Sequence, residues 1–346
     1  MRTIVIDPVT RIEGHAQITI ELDDDDQVAR TAFHVTQVRG FEKFTEGRPF
    51  YETPSITARI CGICPISHLL ASAKACDAIM SVRIPPTAAK LREALHCGQI
   101  IQSHALSFFH LSAPDLLLGF DSDPVRPTVA GLITDHPDKA RDGIALRKFG
   151  QQVIEGLAKE RIHPSWIVPG GVNAPLSPQA RERILAGLPE AKEIAARTLA
   201  FFKGVVDSFP EEIAHFGNVP TMYAGLVDAS GGLQLYDGFV RFVDAVGKVV
   251  VPAMSPEDYL SYIGEPTLAD SYLKAPYFRR RGYPEGSTAS ARSPASTSPP
   301  TAATRRRTSS SRNITSGSAP WCRARSMSTT RGWSRSSMRW SGWRRC

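Results

Sequence analysis

The 346-residue sequence contains no apolar run near the length that crosses a bilayer, so no membrane span is expected. Its start, Met1-Arg2-Thr3-Ile4-Val5-Ile6-Asp7, reads as a strand and not as a secretion signal. Six cysteines without regular spacing do not make a disulfide framework. A reducing, cytoplasmic setting fits, because closely spaced thiols must stay reduced to bind a metal. There is no internal repeat. No Gly-x-Gly-x-x-Gly follows a strand, which argues against a dinucleotide site on this chain.

The most telling scarcity is at the C-terminal end. From Arg279 onward there is no Lys, Leu, Val or Phe, and Ile314 is the one Ile. That stretch holds 15 Arg against a single acid, Glu285, or +14, which leaves −7 for the rest of a chain whose formal total is +7. Ser, Thr, Pro and Arg without large apolar residues cannot bury a core, so residues 287–346 are expected to be disordered. A basic tail invites nucleic-acid binding, but an arm lacking any Lys does not read as one, and no nucleic-acid partner is expected. Read one base earlier, one possible coding of Ser287 to Thr297 acquires ordinary globular composition. The tail therefore reads as out of frame.

What is present is concentrated in Arg59-Ile60-Cys61-Gly62-Ile63-Cys64-Pro65-Ile66-Ser67-His68. Two thiols lie three positions apart, and Gly62 between them suggests a backbone conformation that a side chain would forbid. Pro65 suits the first turn of a helix. A helix over 67–80 places both thiols at a loop-to-helix junction, where the positive helix end favours thiolate over thiol. Thiolate is the form that binds soft transition metals. The spacing alone leaves open half of a metal site, a redox dithiol or coincidence.

Strands are expected over 4–6, 16–22 and 29–38, from their alternation of apolar and polar residues. The four acids Asp23 to Asp26 lie between them as a solvated hairpin tip, since their spacing matches no calcium loop. Helices are expected over 86–114 and 138–159, and in pieces from Ser177 to about Phe209. Residues 163–173 read as a loop, whose Gly170-Gly171 pair is too short to cradle phosphate. Short strands are expected over 221–226 and 235–244. The fold class is α+β and mainly helical, with N-terminal antiparallel strands packed on a long helix bundle. His96, His104 and His110 read as bonded partners within that bundle, and Cys97 as a buried small residue. Glu13 reads as a surface acid or a proton carrier, and Glu42 as a salt-bridged acid or a ligand.

Three stretches occur together and in order: Asp7-Pro8-Val9-Thr10-Arg11-Ile12-Glu13-Gly14-His15, Arg39-Gly40-Phe41-Glu42 and the Cys61/Cys64 segment. With Val168-Pro169-Gly170-Gly171-Val172-Asn173 and Gly282-Tyr283-Pro284-Glu285-Gly286, residues 1–286 resemble the large subunit of [NiFe] hydrogenases. The nearest resemblance is to the bidirectional, NAD-reducing (Hox-type) group. It implies reversible oxidation of dihydrogen to protons and electrons at a nickel–iron centre whose iron carries CO and cyanide. By the same resemblance Cys61 is a terminal nickel ligand and Cys64 a thiolate bridging nickel and iron. Glu13 is implied as a proton-relay carboxylate and Glu42 as a ligand of structural magnesium. His68 is implied to hydrogen-bond a bridging thiolate, and Asp115 to be an acid above the metals. The implied partners are a small iron–sulfur subunit, flavin-containing diaphorase subunits that reduce NAD, and maturation proteins.

The family supplies four thiolates from two C-x-x-C motifs, and the second is absent from this sequence. Cys322 and Cys346 cannot replace it. A chain with two thiolates is expected not to assemble the dinuclear centre, and so to be inactive as written. Two other readings remain: a non-catalytic hydrogenase-like interaction protein, and a structural zinc protein using Cys76 or Cys97 beside the pair.

Overall fold

The computed structural model describes residues 2–37, 39–215 and 220–290. The expected out-of-frame segment, 287–346, therefore lies outside the described residues beyond Ser290. The chain divides into two compact units. Of the described residues, the first comprises those within 2–44, 220–232 and 238–290, and the second those within 45–215 and 233–237.

In chain order the elements are β1 (Arg2–Ile6), β2 (Ala16–Leu22), β3 (Val28–Val35), α1 (Phe41–Thr45), α2 (Thr53–Ala58), α3 (Pro65–Ile79) and α4 (Pro86–Leu106). There follow α5 (Ala113–Leu118), α6 (Val129–Asp135), α7 (Pro137–Ala158), β4 (Ile167–Val168), β5 (Gly171–Val172), α8 (Pro178–Val206) and α9 (Pro210–His215). The last are β6 (Met222–Val227), β7 (Phe239–Val243), β8 (Val249–Met254), α10 (Tyr259–Tyr262), β9 (Ile263–Gly264), β10 (Tyr277–Phe278) and β11 (Thr288–Ser290). The expected α+β, mainly helical class is what the chain adopts.

In the first unit, β1, β2 and β3 form an antiparallel meander in which Ile4 faces Ile20 and Ile18 faces Phe33. The four-Asp stretch is the hairpin tip: the Asp23 carboxylate accepts the N–H groups of Asp25 and Gln27, both at 2.9 Å. A second sheet runs β11-β6-β7-β8 over a core of Met222, Phe242, Val251, Met254 and Phe278. The sequence pattern missed β8, whose Val-Val-Val-Pro-Ala-Met run carries a proline. Pro252 is tolerated because β8 is an edge strand, where a missing donor leaves no ladder bond unmade. β7 is shorter than the expected 235–244. Tyr236 and Asp237 instead belong to the second unit, where Lys74 Nζ donates to the Tyr236 carbonyl at 2.8 Å. β11 extends order four residues past the expected boundary at 286, pairing in parallel with β6.

The second unit is the helical bundle. α7 lies along α4 and α8, and Leu69, Leu95, Leu146, Ile154, Leu157 and Ile194 are buried at its centre. α4 and α7 approach closely at Gly98 and Gly150. A Cβ on Gly150 would lie 2.6 Å from the backbone nitrogen of Gln102. The helix expected to run to Pro114 is not uniform. It passes at Ser107 into a π-helical stretch through Ser112 and restarts as α5. Pro114 has no N–H and its ring crowds the preceding turn, so an unbroken α ladder cannot pass through it. α8, by contrast, is continuous where pieces were expected, although Pro189 lies inside it. Pro189 is exposed, and water can bond the carbonyl that loses its helical donor there. Its start is capped by Ser177, whose Oγ accepts the Ala180 N–H at 3.2 Å. The segment 163–173 is not all loop: β4 and β5 pair across a Pro169-Gly170 turn, where Gly170 has φ +88. Among the described residues no helix is long and apolar enough to cross a membrane.

Candidate metal centre

The thiol pair sits where α2 hands over to α3. Cys64 occupies the N-cap position of α3, and Pro65 follows in its first turn. A helix start leaves backbone N–H groups without helical partners, and these point toward an anion at that end. The Cys61 sulfur takes advantage of the same corner. It accepts the Cys64 N–H at 3.2 Å and the Ile63 N–H at 3.4 Å. Two backbone amides thus fix the position of this sulfur at the helix start. Both thiols are half-buried, within reach of a ligand.

The glycine of this loop departs from expectation. Gly62 does not occupy the left-handed region, and a Cβ there would meet nothing within 4 Å. The turn is shaped by the amide-to-sulfur bonds and by contacts from α4 rather than by the freedom of a glycine.

Those contacts come from two buried glutamines. Gln99 Nε2 donates to the Ile63 carbonyl at 2.7 Å, and Gln102 Nε2 donates to the same oxygen. Deeper in the unit, Arg92 is fully buried. It pairs with Asp77 of α3 at 2.6 Å and donates to the carbonyls of Val168 at 2.7 Å and Gly171 at 3.0 Å. Asp77 in turn accepts the Gly170 N–H at 2.7 Å. α3 is thus tied at its start to α4 and near its end to α4 and the β4–β5 hairpin. None of these four residues stood out in the sequence. The available signal was polar residues at buried positions of an otherwise apolar helical stripe.

His68 lies four residues after Cys64, on the same face of α3. Burial pushes its pKa below the ordinary value, so near neutrality the imidazole is uncharged, with one donor and one acceptor nitrogen. Asp115 is half-buried in the first turn of α5 rather than at the end of a longer helix. Glu13 and Glu42 belong to the first unit, and both are exposed. Arg39 donates its Nε–H to Glu42 at 2.5 Å, and this bond holds the carboxyl below the usual range. The ion-paired reading of Glu42 is therefore the one visible in this chain.

His104 Nδ1 lies 2.8 Å from the Ile100 carbonyl one turn back. His110 is lowered by burial and by the nearby Arg147 charge. Cys97 is half-buried, not the buried small residue expected. Cys76 is buried and donates to the Phe50 carbonyl at 3.2 Å, away from any ligand role. Among the described residues no three His, Cys, Asp or Glu side chains gather as a metal site, which leaves the zinc reading without its third and fourth ligands. The chemistry of Cys61 and Cys64 fits a soft transition metal, but they furnish two donors where a closed site needs four.

Comparison with known proteins places these features in context. A family described as HoxL-like matches residues 3–38, and one described as Nickel-dependent hydrogenase matches residues 39–120. The chain is 43% identical over 286 residues to a subunit of the vhu F420-non-reducing hydrogenase of Methanocaldococcus jannaschii, covering 83% of this chain and 68% of the relative. It is 38% identical over 298 residues to the NAD-reducing hydrogenase HoxS subunit beta of Cupriavidus necator, covering 83% and 61% respectively. Among solved structures, a NAD+-reducing [NiFe]-hydrogenase in the H2-reduced state superimposes with a TM-score of 0.87 at 40% identity. That match spans 95% of this chain and 76% of the other.

Proposed function

Because the chain belongs to the nickel-dependent hydrogenase large-subunit family, we propose that it is the catalytic subunit of a NAD-reducing [NiFe] hydrogenase, handling electrons from the reversible oxidation of dihydrogen. The observation that carries this reading is the Cys61 sulfur held by two backbone amides at the start of α3. The NAD-linked part rests on the likeness to a NAD+-reducing enzyme along nearly the whole chain.

In this reading Cys61 and Cys64 would hold the metals, and a nickel–iron centre bound there, its iron carrying CO and cyanide, would supply the chemistry that splits dihydrogen. The Ile63 and Cys64 amides hold the Cys61 sulfur in place. His68, kept neutral by burial, would be the residue that hydrogen-bonds a bridging thiolate. Glu13 would relay protons, and Asp115 would be an acid near the centre. Glu42 exchanges its ion pair with Arg39 for a magnesium ion, a hard cation that prefers carboxylate oxygen. Electrons pass first to a small iron–sulfur subunit, then to a flavin-containing diaphorase in the cytoplasm. Maturation proteins install the metals.

A chain with one C-x-x-C holds half of the family's thiolates, so as written it is inactive on dihydrogen but retains the partner-binding body. The test is co-expression with maturation proteins and an iron–sulfur subunit, followed by nickel analysis and assay of hydrogen-dependent viologen and NAD reduction. The expected result is co-purification without activity for the chain as written. Nickel and activity should appear when the region after Gly286 is supplied in the alternative frame with a second C-x-x-C. Cys61→Ser should then remove both. Failure of that completed chain to take up nickel would leave a non-catalytic docking relative.

A further inference from the structure

We infer that Gln99 and Gln102 are positioning residues for the thiol pair: by fixing the Ile63 carbonyl they aim the Cys64 amide at the Cys61 sulfur. A peptide unit is planar. The Ile63 C=O and the Cys64 N–H belong to one trans peptide, so they point in opposite directions. Whatever grips the oxygen therefore orients the hydrogen. Gln99 and Gln102 stand three residues apart on one face of α4, and both donate to that single oxygen. A carbonyl has two lone pairs, and both are occupied. On the far side of the same plane the Cys64 N–H meets the Cys61 sulfur at 3.2 Å. Bonds to the oxygen also polarise the peptide and strengthen its N–H as a donor.

Two features make this more than ordinary packing. Both glutamines are buried, at 1% and 6% exposure, where polar side chains need a reason to be. The Gln99 amide oxygen is buried with no hydrogen bond, yet reversing the amide would set two oxygens against each other at Ile63. The orientation is thus dictated by the Ile63 carbonyl alone. α4 is in turn seated on α7 at this level, through Gly150 against the Gln102 backbone. A line of contact then runs from the bundle core to a sulfur: α7, Gln102, the Ile63–Cys64 peptide and Cys61.

The value of this arrangement for metal binding rests on the reading of Cys61 as a ligand; the arrangement itself does not. The test uses the full chain labelled with 15N-cysteine, which gives six amide signals. In the double variant Gln99→Met, Gln102→Met, the Cys64 amide proton should move upfield and exchange with solvent about five- to tenfold faster, the effect of losing one ordinary hydrogen bond. The Cys76 and Cys97 amides, inside α3 and α4, should not move. An unchanged Cys64 amide in the folded double variant overturns the proposal. If the double variant does not fold, Gln102→Met alone is read in the same way. In parallel, cobalt(II) is added to the wild-type chain and the variant. A sulfur-to-cobalt absorption that weakens in the variant extends the role to metal binding. Loss of the amide signature with no cobalt binding even in wild type sinks the metal reading and leaves the positioning role standing.

Discussion

Asp77 and Arg92 are joined at 2.6 Å inside the helical unit, the guanidinium with no exposed surface and the carboxylate nearly covered. Their pairing joins α3 to α4, and between them they also hold Gly170 of the β4–β5 turn and Gly171 of β5. Removing one partner strands a buried charge. Arg92→Met should therefore destabilise the protein by about 3–5 kcal/mol. Asp77→Leu combined with Arg92→Met should lose much less, because no charge is left unpaired. Urea denaturation of the wild type and the two variants checks this. Equal losses in the single and double variants would show that the pairing itself is not what matters.

The helix crossing at Gly150 leaves no space for even one methyl group, since the obstructing atom is α4 backbone. Gly150→Ala should destabilise by about 1–3 kcal/mol, despite the higher helix propensity of alanine. A stability equal to or above wild type in a denaturant melt would mean that α4 and α7 are not so closely seated.

Burial depresses the pKa of both His68 and His110 below 6.5. The unfolded chain therefore takes up these protons first as pH falls. Stability from the neutral imidazoles is complete above about pH 6.5 and is lost as pH drops through the folded-state values. Urea midpoints measured from about pH 7.5 down to about pH 5 should decline, and the decline should flatten in a His68→Gln, His110→Gln variant. The same slope in that variant would assign the effect to other groups.

Ser177 caps a helix of 29 residues through a single side-chain bond to the Ala180 amide. Ser177→Ala should cost about 1 kcal/mol and Ser177→Asp close to nothing. Thermal melts of the two variants would separate loss of the cap from a general intolerance of change at this turn.

Local chemistry was enough to read much of this molecule in advance. The three-stranded meander, the Asp23 hairpin tip and the helices over Pro65–Ile79 and Pro137–Ala158 follow from apolar periodicity and from proline placement, which act over a few residues. The position of Cys61 and Cys64 at a helix start follows from Pro65 in the same way. Other features depended on partners far along the chain. Pro114 forced a change of helix type whose form the sequence does not state. Tyr236 and Asp237 left their expected strand because Lys74 engages them. Gly62 proved unnecessary to the loop because Gln99 and Gln102, more than thirty residues away, set its shape. Residue order determined which thiols are neighbours and where a helix could begin. Only the packing of α4 against α7 decided which buried amides reach the Ile63 carbonyl, because a hydrogen bond requires two groups within about 3 Å of each other and the chain alone does not fix that distance.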